Sequence, residues 1–563
     1  MVAQALTYFR LSSLKLLGVF LLGGALFCPV VALILLSTGD SEGLWSHLVS
    51  TVLGRYLFNT AALMLGVAMF SLMFGIGSAW IISYFRLPGA RWLNVVMLLP
   101  MACPAYLVAY AYTDIFEYAG PLQGTLRNLM GWKSAQDYYF PEIRSMAGAI
   151  FVLSSVLYPY IYLLSRTALQ KIPASFYEVA ALSNRNAFWG VCLPLTRPAI
   201  VAGLALVLME VVSDFGTVEF FAVQTLTLGI FNLWIGMDSI NGAAQLATLT
   251  FSVIIFLLFL EFYARGDKRF NDTSRRHSPH KPIPVSRQKA FLLTIICLLP
   301  VAFGFLIPVS ILFYNVLHAP VMSTVFGVLE SFANSLFVSL LGAVFIMTSA
   351  AIMGSAARMS QNKSVQTIAN LSAAGYAFPG TILALGVLAC LSFADRFLEW
   401  TPIYFSGTIW ALFFAYLVRF QAVGYGAVSS GLTKIPMNLI SCSRSLGMTP
   451  NQTTRLVTLP LMRNALLAGL ILAFVDIMKE YGFHLESPKL MGRYSGIFDT
   501  TAMSYTKGFG GFEQILKNLE HRVSNDADLR NDYKGCLEIM SADNGPLREL
   551  SALNNWFIFR KRD

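Results

Sequence analysis

Apolar runs long enough to cross a bilayer recur along this chain, and nothing else constrains its fold as strongly. A spanning α-helix needs about 20 mostly apolar residues. Runs of that kind lie at 16–37, 57–85, 92–115, 146–170, 199–222 and 243–264. After a polar stretch they resume at 290–317, 331–356, 367–393, 404–430 and 465–483. In hydrocarbon each backbone N–H and C=O has to be satisfied inside the segment, so the expected fold is an all-α membrane protein of about 11 spans. Composition excludes a soluble reading: apolar residues make up 56% of the 563, charged residues only 12%, and mean hydropathy is +0.62.

Loop charge sets the expected orientation. Arg86 and Arg91, then Arg166, Lys171, Arg185 and Arg197, then eight basic residues in 265–289, fall in every second loop. An inside N-terminus satisfies all of them, and Arg358, Lys363, Lys434, Arg444, Arg455 and Arg463 continue the rule. The net charge of +10 is therefore a membrane-orientation signal, and no nucleic-acid surface is expected. The run from Leu16 to Leu36 is long enough to span, so it reads as a retained first helix and not a cleaved signal. Segment 265–289 carries Arg275-Arg276-His277-Ser278-Pro279-His280-Lys281-Pro282 and reads as an exposed cytoplasmic tether, its histidines solvated. The seven cysteines are scattered without CxxC spacing and are expected to act as small hydrophobes, neither disulfides nor ligands. No permanently bound metal is expected.

The chain repeats itself. Asn59-Thr60 and Asn334-Ser335 each open a span, and Pro104 and Pro379 share the same offset of 275. Lys171-Ile172-Pro173 recurs as Lys434-Ile435-Pro436, and Leu193-Pro194 with Arg197 recurs as Leu459-Pro460 with Arg463. With six spans in the first copy, both copies enter the membrane in the same sense, as parallel repeats do. The expected division is 1–56 first span and outer loop, 57–264 first transmembrane domain, 265–289 linker, 290–330 first span of the second half, 331–483 second transmembrane domain, and 484–563 a polar tail.

The longest inner loop of each half carries one pattern: Lys-Ile-Pro, a short helical stretch, Leu-Pro, a basic residue, and the next span. It resembles the EAA loop of ABC importer permeases. The resemblance implies a coupling helix docked on an ATPase, with Glu178, Ala180, Ala181, Asn184, Pro194 and Arg197 in the first loop and Ser441, Arg444, Gly447, Pro460 and Arg463 in the second. Two departures stand out: Asn184 occupies a place where the family usually has Gly, and Ser441 one where it has Glu. The first loop is also three residues shorter before its Leu-Pro.

The span after each loop carries acids. Glu210 and Asp476 lie 16 residues beyond the loop prolines Pro194 and Pro460, and Asp214 and Glu480 lie 20 beyond. On a continuous helix each pair shares a face. Intramembrane carboxylates are costly and face protein or a wet cavity, so these four are candidate pathway residues suited to a cation. The bland alternatives are pairing with Lys479 or Arg419, or a hydrated position at the outer interface.

From 57 to 482 the chain further resembles the fused ferric-iron permeases, through Asp214-Phe-Gly-Thr-Val-Glu219, Thr225-Leu-Thr-Leu-Gly-Ile-Phe231 and Asp476-Ile-Met-Lys479-Glu480. That resemblance implies a bacterial inner-membrane permease subunit working with a periplasmic binding protein and a cytoplasmic ABC ATPase, a homodimer, which alone holds ATP and Mg. Thiamine or another small cation is the neighbouring alternative. An ion-gradient-driven carrier or an inactive truncated permease is the alternative of another class. No GxxxxGK[ST] stretch occurs, so ATP hydrolysis is expected on a separate chain and no catalytic residues on this one. Beyond Gly482 the resemblance stops. The family would have a twelfth span; without it the alternation leaves the tail, with Cys536, expected on the outer side of the membrane, as an altered C-terminus.

Overall fold

In a computed structural model the described residues are 13–265, 282–318, 325–359, 363–372, 380–397, 405 and 408–481. They belong to one compact unit, Met1–Thr500. The tail 484–563, and Cys536 with it, lies outside them.

Helices account for the architecture. The first half contains α1 (Ser13–Ser37), α2 (Leu53–Tyr84), α3 (Ala105–Phe116), α4 (Met146–Leu169), α5 (Ala174–Leu182), α6 (Leu193–Ser213), α7 (Gly216–Phe220), α8 (Leu226–Phe231) and α9 (Ile240–Arg265). The second contains α10 (Arg287–Val301), α11 (Ile307–His318), α12 (Val325–Met359), α13 (Lys363–Ser372), α14 (Gly380–Phe397), α15 (Ile409–Thr433), α16 (Met437–Ser445) and α17 (Leu459–Tyr481). Among the described residues nine helices are long and apolar enough to cross a bilayer, ten counting one bent pair.

Two of the eleven expected runs take a different form. The run at 92–115 is not one helix: Ala90–Ala102 and Ala105–Met130 meet at 84°. Cys103 and Pro104 between them are extended, with ψ of 124° and 134°. Pro104 donates no N–H and its ring pushes Cys103 out of the α region. Pro29, Pro159, Pro198 and Pro300, by contrast, sit inside helices. The run at 367–393 is divided into α13 and α14, with 373–379, including Pro379, outside the described residues.

Each half is built on a three-helix core. α2, α4 and α6 pack mutually, and α12, α15 and α17 repeat the arrangement. Small residues set the spacing: a Cβ on Gly203 of α6 would lie 2.8 Å from Ile161 Cα of α4, and one on Gly469 of α17 would lie 2.7 Å from Ala427 Cβ of α15. Such close backbone approach supplies the van der Waals contact that holds helices together where lipid removes the hydrophobic drive.

The first span of each half leaves its own core. α1 packs on α13 and α14 of the second half, and α10 and α11 pack on α2 and α3 of the first. The Tyr112 hydroxyl donates to the Phe303 carbonyl at 2.8 Å, and Asn315 Nδ2 to Asp114 Oδ2 at 2.8 Å, both across the halves. Cys28 of α1 and Cys390 of α14 form a disulfide with their Cα atoms 6.1 Å apart. That overturns the expectation that all seven cysteines are unpaired; a sequence separation of 362 gives no spacing signal. Cys103, Cys192 and Cys297 are buried thiols, as small hydrophobes are.

The linker reading also needs amendment at its end. Ile283 pairs with the chain after α2, donating to Tyr84 O and accepting from Arg86 N, both at 2.9 Å. Ser286 then caps α10 by accepting from Lys289 N. Residues 266–281 lie outside the described residues.

Candidate functional site: the paired Lys-Ile-Pro loops and the acids beyond them

The two Lys-Ile-Pro loops fold alike, and local chemistry explains why. α5 and α16 each span nine residues, and each starts after an extended proline, Pro173 or Pro436. Proline fixes φ and lacks the N–H that a first turn leaves unpaired. Each helix then ends in a Schellman turn. In the first, Asn184 N donates to Ala181 O at 3.2 Å and Arg185 N to Ala180 O at 2.9 Å. In the second, Gly447 N donates to Arg444 O at 3.0 Å and Met448 N to Ser443 O at 3.2 Å. The turn needs a left-handed residue, and Asn184 and Gly447 supply it with φ of 51° and 85°. Asn is the side chain other than Gly that tolerates this region best, so the Gly-to-Asn departure in the first loop keeps the geometry.

The same two positions of each helix face inward: Tyr177 and Ala180 in α5, Ile440 and Ser443 in α16. Tyr177 packs among Trp80 and Tyr84, with ring centroids 6.2 and 5.7 Å away. The opposite face is open. Glu178, Ala181, Asn184, Ser441 and Gly447 are exposed, Arg444 is half-buried, and Phe176, Val179, Leu182, Leu439 and Leu446 are exposed apolar residues beside them. Ala180 therefore belongs to the supporting face.

Beyond the turn, each loop enters its span through a π-turn, Phe188–Cys192 before Leu193-Pro194 and Thr454–Thr458 before Leu459-Pro460. A proline ring meets the carbonyl four residues back, and a widened turn relieves that clash. Pro194, Arg197, Pro460 and Arg463 are exposed at this entry. The second loop, three residues longer, carries the additional four-residue turn Pro450–Thr453.

The acids depart from expectation in the first half. α6 stops at Ser213, and Asp214 is extended with ψ 123°, so Glu210 and Asp214 do not share a helix face. The Asp214 carboxylate instead accepts from Thr217 N (2.9 Å), Thr217 Oγ1 (2.9 Å) and Val218 N (3.2 Å). A short acidic side chain that satisfies the first N–H groups of the next helix competes with continuation of its own. In the second half α17 runs unbroken past Asp476 and Lys479, which lie 3.7 Å apart and are each about one-fifth exposed. The Glu480 side chain lies outside the described residues.

One repeated feature escaped the sequence reading. The Tyr162 hydroxyl on α4 donates to Asn94 Oδ1 at 3.0 Å, and the Tyr425 hydroxyl on α15 donates to Asn370 Oδ1 at 2.9 Å. Both tyrosines stand nine residues before the lysine of Lys-Ile-Pro, a match that the repeat offset of 263 would have exposed.

A family model for the binding-protein-dependent transport system inner membrane component matches residues 71–270 and 350–501, one stretch in each half. The chain belongs to that family: it is a multi-pass inner-membrane permease subunit of an ABC importer, and ATP hydrolysis in such systems falls to a separate chain. It is 23% identical over 451 residues to the Fe(3+)-transport system permease protein FbpB 2 of Haemophilus influenzae, covering 76% of this chain and 80% of the relative. It is 26% identical to a probable sulfate transport system permease, cysT, of Chlorokybus atmophyticus over 42% of this chain and 82% of the relative. It is also 26% identical to the molybdenum transport system permease ModB of Escherichia coli K12 over 35% of this chain and 87% of the relative.

Proposed function

We propose that this chain forms the translocation pathway of an ATP-driven importer for ferric iron delivered by a periplasmic binding protein. The observation that carries the reading is the pair of inner loops with one geometry: proline start, nine-residue helix, Schellman turn and π-turn entry. In this reading the exposed faces of α5 and α16 dock on the two copies of a homodimeric cytoplasmic ATPase, which holds ATP and Mg, and the N-terminus is cytoplasmic. Glu210, Asp214, Asp476 and Glu480 line the route with negative charge. Ferric iron is supported by the relative named for Fe(3+), whose similarity extends over 76% of this chain, against 42% and 35% for the sulfate and molybdenum relatives. A hard trivalent cation also prefers oxygen ligands such as carboxylates.

The test is reconstitution of the permease with its ATPase and binding protein in proteoliposomes. ATP-dependent accumulation of radiolabelled ferric iron, unchanged by excess thiamine, is expected. Uptake driven by an ion gradient without ATP would overturn the importer reading, and displacement of iron by thiamine would overturn the substrate.

A further inference from the structure

The repeated tyrosine–asparagine hydrogen bond joins two elements that an importer has to move together. Tyr162 lies on α4, which runs directly into the first docking loop, and Tyr425 lies on α15, which runs into the second. Asn94 lies on the helical segment that leads to the break at Cys103–Pro104, and Asn370 lies on α13, which precedes Pro379. The bond therefore connects, in each half, the helix that carries the docking loop to a helical segment that precedes a proline of the repeat, Pro104 or Pro379. In the first half the extended backbone at Cys103–Pro104 is of the kind tolerated at membrane depth where it is buried in protein or lines a cavity.

The two copies are not equal. In the first half Tyr158, one turn before Tyr162, adds a second bond by donating to Met97 O at 2.9 Å, in an entirely buried contact. Gln421 holds the matching place in α15; it is fully buried and makes no hydrogen bond. The first half is thus tied twice and the second once among the described residues.

We propose that Tyr162–Asn94 and Tyr425–Asn370 are struts that transmit movement of the docking loops to the helical segments ahead of Pro104 and Pro379, and so are positioning residues for coupled transport. The proposal rests on the reading of α5 and α16 as ATPase-docking helices. Packed side chains and hydrogen bonds between rigid helices both carry displacement, and a hydrogen bond adds a preferred direction and distance to the contact. Because Tyr158 supports the first strut, the second half depends more on its single bond.

The experiment uses the full complex in proteoliposomes, with radiolabelled ferric iron on the binding protein as the probe, and measures iron accumulated per ATP hydrolysed. Tyr162→Phe and Tyr425→Phe each remove one oxygen. The expected result is ATP hydrolysis within a factor of two of wild type in both. Iron per ATP should fall about tenfold in the double variant, and more in Tyr425→Phe than in Tyr162→Phe. Asn370→Asp keeps the accepting oxygen and should retain coupling. An unchanged ratio, or hydrolysis and uptake falling in parallel, would overturn the proposal. If the double variant does not accumulate in the membrane, the single Tyr425→Phe decides. Failure of the wild-type permease to retain an ATPase would instead sink the docking reading and is seen separately, by co-purification.

Discussion

The left-handed residue that ends α5 and α16, the helices proposed to dock on the ATPase, offers a perturbation whose size follows from the geometry. Gly447 has φ 85° and bears the Schellman turn of α16, and Asn184 has φ 51° and bears that of α5. A Cβ on Gly447 would meet no atom within 4 Å, so substitution there tests backbone conformation alone. Alanine in the left-handed region costs about 1–2 kcal/mol. If the docked helix requires this turn, Gly447→Ala lowers the equilibrium constant for the docking-competent loop by about 5- to 30-fold, and ATPase affinity falls by up to that factor. Asn184→Gly places the more tolerant residue in the same conformation and leaves affinity within about twofold. Titration of the ATPase against purified permease in nanodiscs reads both. Hydrogen exchange at the Met448 amide, bonded to Ser443 O at 3.2 Å, reports the turn directly. The reasoning is refuted if Gly447→Ala binds and exchanges like wild type, or if Asn184→Gly weakens binding as much as the alanine does.

Other outcomes follow from single contacts. Tryptic cleavage in the basic linker should leave the halves as one band on a non-reducing gel and two after reduction. Cys28→Ser should give two bands without reductant; separation of wild-type fragments without reductant would contradict the Cys28–Cys390 bond. Asp214→Asn keeps an accepting oxygen and should hold thermal stability while uptake falls several-fold, whereas Asp214→Ala loses the helix cap as well, about 1 kcal/mol. Wild-type uptake by Asp214→Asn would reduce the carboxylate to a cap. Gly203→Val forces side-chain atoms against the α4 backbone, 2.8 Å from Ile161 Cα for the first carbon alone. It should lower the melting temperature of the detergent-solubilised protein by an amount matching about 1–3 kcal/mol; an unchanged melting temperature would refute the close packing of α4 and α6.

Legibility in the sequence tracked the range of the interaction. Span length, loop charge and the two inner loops are local properties, and the helices at 146–169 and 409–433 fall where the apolar runs put them. The break at Pro104 was hidden because proline alone does not interrupt a membrane helix, as Pro159 inside α4 shows. What differs is the extended Cys103 before it, and residue types do not announce that. Asp214 was assigned to a helix face by counting residues; its carboxylate has nearer partners in Thr217 and Val218, and they end the helix first. The Cys28–Cys390 bond depends on α1 crossing to the other half, a tertiary fact that no spacing encodes.

That crossing bears on how the chain is made. A ribosome delivers α1 to the membrane first, but its seat on α13 and α14 does not exist until the chain has been built as far as Phe397. Within the first half α1 packs on α9, so until then only its second-half-facing side waits, exposed to lipid or to insertion factors. Placing both halves on one polypeptide keeps the missing seat tethered to the waiting helix, at a local concentration that two separately made subunits would have to reach by diffusion.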